Sequence, residues 1–359
     1  MSSGGITQLV AIGAQDAWIT GKPEVSFFRS TYKRHTNFAQ VVQRQVVQGA
    51  VNPSGMSSIR LERKGDMVSQ VYLTKRVQGG PSSPSRQVNF SPNDIDHIDF
   101  LIGGQVIDSQ DDTFINYVAD PFLCSTQNKT SSTTSGNKGL FYPLRFWFCE
   151  NIQSALPLIS LQYHDVEIRI YWSAQLTGSN IFEAWANFIV LDNAERDDLA
   201  SRPQNHLVYQ VQKQTASGTK VQNLVFNHPI KFITNGATSN CLIGNSPMTA
   251  TANNNIDSML LQINGVDIGE QKTYTPHFDM VPCYYACPYY STYFDSTTTP
   301  FILPFCLDTT RHQPTGTLNF SRIDSARLVS SNTFVNTLYA VNYNILKIEN
   351  GMGGLLYAN

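Results

Sequence analysis

One nine-residue pattern occurs twice in this chain and limits what the chain can fold into. The pattern Ile-x-Gly-x-x-Ile-x-x-Gln runs from Ile102 to Gln110 and again from Ile263 to Gln271, 161 residues later. Two further matches keep the same order at a spacing of 157 residues: Phe148-Cys149 with Phe305-Cys306, and Leu161-Gln162-Tyr163 with Leu318-Asn319-Phe320. Solenoid repeats are roughly 20–50 residues long. The spacing therefore indicates two copies of one whole domain, which 359 residues can accommodate.

Most of the chain consists of segments typical of short β-strands, rich in β-branched and aromatic residues and bounded by turn residues. Clear examples are residues 41–47, 70–74 and 165–171. Within the repeated pattern, Gly103-Gly104 and Asn264-Gly265 supply the positive φ that a two-residue hairpin turn requires. We therefore expect two tandem all-β domains, either sandwiches or jelly rolls, of about eight strands each.

Helical patterns are confined to two places. Residues 4–20 predict a short amphipathic helix or turn, and residues 191–199 predict a short linker helix that ends at Ser201-Arg202-Pro203. The expected organisation is an N-terminal arm over residues 1–23, a first domain over residues 24–198 and a second domain over residues 199–359.

Charge is scarce and unevenly distributed. Only 14% of residues are charged, against about 25% in an average protein, so much of the surface is expected to be covered by partners. Residues 1–90 contain 11 Lys or Arg and 4 Asp or Glu, a net charge of +7, and the remainder carries −9. This bias fits either contact with an anionic surface or a solvated, subunit-facing basic edge, and the second is favoured because no block of five like charges occurs.

Residue types that perform catalysis or bind metal are present but poorly arranged. The best metal candidate is the group His277, Asp279, Cys283 and Cys287, which lacks the second ligand pair of a zinc site, so packing or a subunit contact is favoured. No Gly-x-Ser-x-Gly, phosphate-binding loop or dinucleotide pattern occurs. We therefore expect no enzymatic activity, no catalytic residue, no metal and no cofactor.

One polar segment carries a candidate modification site. Residues 125–139 are low in sequence complexity and predict a solvent-exposed loop. Within it, Asn128 begins an Asn-Lys-Thr sequence and is a candidate glycosylation acceptor in a glycosylating environment, or otherwise a plain loop residue. No stretch approaches about 18 uninterrupted apolar residues, so no membrane-spanning helix is expected.

Several longer motifs give the chain a family resemblance. They lie at residues 8–16, 27–39, 195–196, 210–212, 313–324, 339–346 and 351–357, and the strongest is Gln-Pro-Thr-Gly-Thr-Leu-Asn-Phe-Ser-Arg-Ile-Asp at 313–324. In these segments the chain resembles the major capsid proteins of the nucleocytoplasmic large DNA viruses, of the iridovirus and phycodnavirus kind. The resemblance is essentially full length, and several motifs of this length in order are highly specific.

The resemblance implies a structural protein of the virion. Its fold would be a double jelly roll, and three copies would form a pseudo-hexagonal capsomer of an icosahedral shell assembled in the host cytoplasm. Expected partners are the protein itself, neighbouring capsomers, minor capsid proteins and an inner membrane at the base, with no specific nucleic acid. The arm is expected to make basal contacts through Leu9, Val10, Trp18 and Ile19.

Two other classes of function are compatible with a double jelly roll. A carbohydrate-binding double jelly roll, as in a lectin-like module or receptor-binding spike, would use loop aromatic residues such as Tyr289 and Tyr290 as sugar platforms. A paralogous capsid or spike protein is a separate alternative. A metal enzyme on a jelly-roll fold would need clustered histidines, whereas the seven histidines of this chain are scattered. Capsid assembly remains the leading hypothesis.

Overall fold

The computed structural model describes residues 4–7, 13–77, 79, 84–91, 94–123, 139–176, 180–235, 257–288 and 301–357. The chain divides into two compact units, Met1–Asn37 and Phe38–Asn359. In the first unit, residues 4–7 are helical, and a turn closed by the Asp16 N–H and the Gly13 carbonyl leads into helix α1 (Ala17–Thr20). This is the form that the predicted helix or turn takes where the structure describes it. Within the described residues, no helix has the length and hydropathy needed to cross a membrane.

The second unit begins with strands that form two antiparallel sheets. Their bounds are β1 (Phe38–Gln45), β2 (Val47–Gln48), β3 (Met56–Arg60), β4 (Met67–Val77), β5 (Arg86–Gln87), β6 (Ile95–Ile102), β7 (Gln105–Asp111), β8 (Phe141–Pro143), β9 (Leu156–Pro157), β10 (Val166–Trp172) and β11 (Asn180–Leu191). Sheet I has the order β1-β11-β4, with β5, β8 and β9 paired to β4. Sheet II has the order β2-β3-β10-β6-β7. Together these strands form the first roll.

The rest of the chain repeats this arrangement. Its strands are β12 (Gln204–Gln214), β13 (Val221–Asn223), β14 (Pro229–Asn235), β15 (Ser258–Ile263), β16 (Val266–Thr273), β17 (Ile302–Pro304), β18 (Leu318–Asn319), β19 (Ala326–Ser330), β20 (Leu338–Glu349) and β21 (Met352–Leu355). Sheet III has the order β12-β20-β14-β17, with β18 on β14 and β21 on β20, and sheet IV has the order β13-β19-β15-β16. These strands form the second roll.

Short helices occupy the connections. They are α2 (Asp112–Phe114), continued by a π-helical segment (Ile115–Leu123), then α3 (Trp147–Glu150), α4 (Asn193–Ser201), α5 (Tyr274–His277) and α6 (Met280–Ala286), with 3-10 turns at Ile152–Ser154, Leu158–Ser160 and Phe320–Arg322. Helix α4 connects the last strand of the first roll to the first strand of the second. It begins two residues later than predicted because Leu191 is still paired with Phe38 in sheet I.

The strand orders establish the fold. The order β1-β11-β4-β8 in sheet I corresponds to β12-β20-β14-β17 in sheet III, and β3-β10-β6-β7 in sheet II corresponds to β13-β19-β15-β16 in sheet IV. In each case the first and last long strands of a domain pair beside each other, which is jelly-roll connectivity. The chain is therefore a double jelly roll, as its sequence resemblance implied.

Alternating burial explains why each pair of sheets closes on a core. Strand β10 alternates buried and half-buried residues along its whole length, as a strand does when one face lies against a core. The ring of Phe100 lies 5.0–5.2 Å from those of Phe146, Trp147 and Phe148 in the first roll. The second roll has a separate core around Phe301, Leu328 and other residues with exposed fractions near zero. Aromatic pairs of this kind contribute about 0.5–1.5 kcal/mol beyond the area they bury.

The structure confirms the repeated hairpin. Gly103 and Gly104, with φ of 57° and 83°, connect β6 to β7, and Asn264 and Gly265, with φ of 51° and 78°, connect β15 to β16.

The two supporting matches at a spacing of 157 residues are wrong. Leu156-Pro157 forms β9, which pairs with β4, and Leu318-Asn319 forms β18, which pairs with β14. These two strands therefore correspond, at a spacing of 162 residues. Phe148-Cys149 belongs to helix α3, whereas Phe305-Cys306 follows β17. Short apolar pairs recur by chance in chains with many buried strands, so these matches paired residues that are not equivalent.

The hairpin of the first roll provides a matched pair of substitutions. A Cβ at Gly103 would meet the His164 ring at 2.6 Å, whereas a Cβ at Gly104 would meet nothing within 4 Å. Both positions have positive φ, so each alanine should cost about 1–2 kcal/mol for the left-handed backbone. Gly103→Ala should cost roughly 1–3 kcal/mol more than Gly104→Ala, because His164 must move. Urea unfolding of the two variants measures the difference, and equal losses would contradict this contact.

Candidate assembly surfaces

The two rolls meet where the edge strand β7 of sheet II faces the edge strand β12 of sheet III. The Val211 N–H on β12 donates to Asp108 Oδ1 on β7 at 2.9 Å, and the Gln210 side-chain amide donates to the carbonyl of Ile107. Ile107, Asp108 and Gln210 are all buried. A buried group that loses its partner keeps the full cost of desolvation, so these bonds fix the position of one roll on the other.

Asp111, at the end of β7, connects a helix of the first roll to the second roll. Its Oδ1 accepts the Phe114 N–H at 2.7 Å and so caps helix α2. Its Oδ2 accepts hydrogen bonds from Lys213 Nζ and from the Tyr339 hydroxyl, both at 2.6 Å. Burial and the neighbouring Asp111 raise the pKa of Tyr339, so the phenol stays protonated and remains a donor.

A buried arginine organises the first roll's side of the junction. Arg145 forms ion pairs with Asp120 and, at 2.9 Å, with Glu150. Its backbone carbonyl accepts the Gln110 side-chain amide at 3.0 Å and the Tyr209 hydroxyl at 2.9 Å. Removing one partner of a buried ion pair typically costs about 3–5 kcal/mol, because the other charge is left uncompensated. The loop that carries Arg145 is therefore held rigidly where the second roll docks.

Apolar contacts make the junction continuous with the core of the first roll. One buried cluster contains residues of sheets I and II together with residues of sheet III. Across the junction, the Phe114 ring lies 5.8 Å from the Tyr339 ring, and the Phe122 ring lies 5.8 Å from the Phe232 ring. Separating the rolls would expose this cluster to water, at a free-energy cost of roughly 25 cal/mol per Å² of apolar surface.

The C-terminal hairpin β20-β21 also packs on the first roll. The Tyr163 N–H donates to the Gly351 carbonyl at 2.9 Å, and His164 Nδ1 lies 2.9 Å from the Gly353 carbonyl. A Cβ at Gly351 would meet the Tyr163 ring at 2.6 Å, and a Cβ at Gly353 would meet the Leu161 side chain at the same distance. Glycine is favoured most strongly at position 351, where φ is 78° and the obstacle is a ring, whereas at position 353 the Leu161 side chain would have to move.

The residues predicted for arm contacts and modification are only partly described. Trp18 and Ile19 lie in α1 with exposed fractions of 94% and 85%, so their side chains are available for contacts. The remaining candidates from the sequence lie outside the described residues: Leu9, Val10, Asn128, Tyr289 and Tyr290.

Three of the four residues of the candidate metal group are buried. Asp279 accepts a hydrogen bond from the Thr275 hydroxyl at 2.7 Å. Cys283 and Cys287 are buried, and a hydrogen bond to Cys287 together with burial raises the pKa of the Cys283 thiol. His277 is exposed. Within the described ranges, no three His, Cys, Asp or Glu side chains are grouped as metal ligands.

The junction residues Asp108, Arg145 and Gln210 were not identified from the sequence. Asp108 and Gln210 interact with residues about 100 positions away, so no local pattern reveals their partners. The one available signal was the repeated pattern itself, which contains Ile107 and Gln110 and hence marks the strand that forms the junction.

Comparisons with known proteins agree with the fold. The family model described as "Major capsid protein N-terminus" matches residues 26–198, and the model described as "Large eukaryotic DNA virus major capsid protein" matches residues 195–354. The major capsid protein of Pyramimonas orientalis virus is 32% identical over 99% of this chain and 100% of its own length. The chain belongs to the family of large eukaryotic DNA virus major capsid proteins. The major capsid protein of Paramecium bursaria Chlorella virus 1 is 30% identical, with the same coverage.

Solved structures support the same assignment. A quasi-atomic model of the PBCV-1 virus capsid superimposes with a TM-score of 0.72 at 26% identity, covering 93% of this chain and 100% of that chain. The Faustovirus major capsid protein, with a TM-score of 0.63 at 12% identity, covers 96% of this chain and 97% of that chain and supports the fold alone. The family predicted from the sequence is confirmed, and so is the assignment as a capsid protein of the virion.

Asp108 should make the stability of the junction depend on pH. Burial raises the pKa of Asp108 to about 7, despite hydrogen bonds from Val211, Gln110 and Ser109 that lower it. A carboxyl group whose pKa is raised on folding stabilises the fold at low pH, and this contribution is lost as pH rises from about 4 through about 7. Asp108→Asn does not titrate and should therefore gain stability relative to the wild type between pH 5 and pH 8, by up to a few kcal/mol.

Urea unfolding at pH 5 and pH 8 measures this difference. Asp197→Asn, at an exposed position of helix α4, serves as the control and should follow the wild type at both pH values. The same difference between Asp108→Asn and the wild type at both pH values would contradict a titrating carboxyl group at the junction.

Proposed function

We propose that this protein builds a viral shell as a homotrimer, in which three double rolls form a pseudo-hexagonal capsomer. The observation that carries the proposal is the continuous buried cluster between the rolls, which makes each chain one rigid block with two equivalent sides. Three such blocks in a ring present six rolls. A heterologous contact repeated around a three-fold axis closes such a ring. Holding it together requires interfaces in the obligate range, roughly 2,000 Å² or more.

The arm is the proposed attachment segment of the capsomer. We assign residues 1–23 to the arm, residues 24–198 to the first domain and residues 199–359 to the second. The exposed Trp18 and Ile19 support contacts with neighbours at the base of the shell, where minor capsid proteins and an inner membrane are the proposed partners. Large apolar side chains left in water favour such contacts.

The protein is proposed to have no enzymatic activity, no cofactor and no specific nucleic acid partner. In the described residues, acidic side chains of the junction accept hydrogen bonds from partners inside the fold, as the buried Asp108 and the half-buried Asp111 do. Their chemistry is used to fix two rolls together. Asn128 remains the proposed acceptor if the protein meets a glycosylating environment.

The oligomeric state tests the proposal directly. Light scattering on a sizing column should give a mass near three times 40.0 kDa, and negative-stain images of the peak should show pseudo-hexagonal outlines. A trimer is expected because each roll leaves one strand at the edge of a sheet exposed, β1 in the first roll and β16 in the second, and a neighbouring copy would cover it. A stable monomer at every accessible concentration would overturn the proposal and make glycan screening the next experiment.

The arm is tested by its removal. Deletion of residues 1–23 should leave soluble trimers, because this segment precedes every strand of both rolls, but it should impair assembly of the shell. The measurement is the yield of closed particles by electron microscopy, with the Trp18→Ala/Ile19→Ala double variant for comparison. Normal particles from the deletion would contradict a role for the arm.

A further inference from the structure

A cleft lies between the two rolls, beside the junction. Its volume is about 610 Å³. This lies inside the range of roughly 300–1,000 Å³ that is typical of sites for small molecules. The first roll contributes Leu123 and residues 150–152 to its walls, and the second contributes Tyr209, Lys231 and most of residues 308–313. A molecule bound here would therefore contact both rolls.

Lys231 places a buried charge in the wall of this cleft. It lies on β14 with an exposed fraction of 3%. Its Nζ donates a hydrogen bond to the Arg311 carbonyl at 2.7 Å and lies 5.7 Å from the centre of the Tyr343 ring. No ion pair in the described part of the chain includes Lys231. A buried charge without an opposite charge beside it is costly.

The protonation of Lys231 shows the effect of this burial. Burial lowers the pKa of the Lys231 amine to about 8, although Cys306 and other nearby groups oppose the shift. The amine therefore stays mostly protonated at neutral pH, as a cation that has lost much of its hydration. An anion beside Nζ would replace part of that lost hydration with a direct ionic contact.

Both carboxylates that line the cleft are already held by arginines. Glu150 pairs with Arg145 at 2.9 Å, and Asp308 pairs with Arg311 at 3.1 Å. The second oxygen of Asp308 accepts hydrogen bonds from the N–H and the hydroxyl of Thr310, at 2.8 and 2.7 Å. These carboxylates would repel a phosphate, which carries nearly two negative charges, more strongly than a singly charged ligand. The electrostatics of the cleft therefore favour a carboxylate.

A second polar group in the cleft also lacks a partner. His312 Nδ1 is buried and has no hydrogen-bond partner among the described residues. Burial and the charge of Lys231 lower the pKa of His312, so its ring is neutral at neutral pH. Buried polar atoms in folded proteins are normally satisfied, so water or a ligand in the cleft would complete this one. Leu123 and Ile152 add apolar surface to the same cleft.

We propose that this cleft binds a small organic carboxylate, which pairs with Lys231 Nζ and lays its apolar body against Leu123, Ile152 and the Tyr209 ring. All of these groups belong to one chain, so the inference does not depend on the proposed trimer. The bound molecule bridges the two rolls. Because it binds the folded chain and not the unfolded one, it stabilises the junction in proportion to its concentration.

Binding of 2-naphthoate to the purified wild-type protein tests the proposal, with calorimetry as the measurement. The neutral 2-naphthamide is the comparison, because it keeps the apolar body and removes the charge. Naphthoate should bind about tenfold or more tightly than naphthamide, since hydrogen bonds to charged groups are the stronger ones. Equal affinities would overturn the proposal. Tighter binding of inorganic phosphate than of naphthoate would overturn the assignment to a carboxylate.

Lys231→Met locates the binding site, because it keeps the length of the side chain and removes its charge. Naphthoate affinity should fall by about tenfold or more, and naphthamide affinity should change little. The variant should still fold, since an apolar side chain of similar volume often replaces a buried charge without loss of stability. Lys347→Met is the matched control, because Lys347 is exposed on β20 and does not line the cleft. Equal losses of affinity in the two variants would contradict the site.

A second pair of variants tests the cleft without altering Lys231. Ile152 is 51% exposed, so Ile152→Asp and Ile152→Asn should both fold. The two new side chains have nearly the same shape and differ by one charge. Ile152→Asp should therefore bind naphthoate several-fold more weakly than Ile152→Asn, with no such difference for naphthamide. The same naphthoate affinity in both variants would show that the ligand lies elsewhere.

Discussion

The docking of one edge strand on another underlies the organisation of this protein. Where β7 meets β12, hydrogen bonds between side chains and backbone, an ion pair and an apolar cluster act together over a short distance. Each component is modest alone, since a typical hydrogen bond contributes roughly 1 kcal/mol net. Together they turn two domains into one body, and only a rigid body can transmit a fixed angle from one neighbour to the next.

Duplication followed by docking accounts for the chemistry of the surface. The first roll uses β7 inside the chain and leaves β1 outside, whereas the second roll uses β12 inside and leaves β16 outside. The low share of charged residues, 14%, fits this arrangement, because the cores of protein interfaces contain fewer charged residues than the rest of the surface. The exposed valines of β1 are unusual for a free edge strand, which proteins commonly protect with charges.

Local physics made part of this structure predictable. The Gly103-Gly104 and Asn264-Gly265 hairpins were found because a two-residue turn demands positive φ at defined positions. Helix α4 was predicted to within two residues because Pro203 prevents its continuation. The junction was not predicted, since Asp108 and Val211 are 103 residues apart and neither position is distinctive alone. The mistaken pairing of Leu161 with Leu318 has the same origin, because strand partners are determined by the sheet and not by local residue types.

The glycines of the last hairpin also bear on how the chain folds during synthesis. Gly351 and Gly353 contact Tyr163 and His164, and the His164 contact spans 189 positions of sequence. Such distant contacts close late, because the entropy of the intervening chain must be lost before they form. A ribosome synthesises the first roll before these residues, so the first roll emerges without these contacts and gains them only after the strands of the second roll have been synthesised. The position of the β20-β21 hairpin on the first roll is therefore fixed only once both rolls have been synthesised.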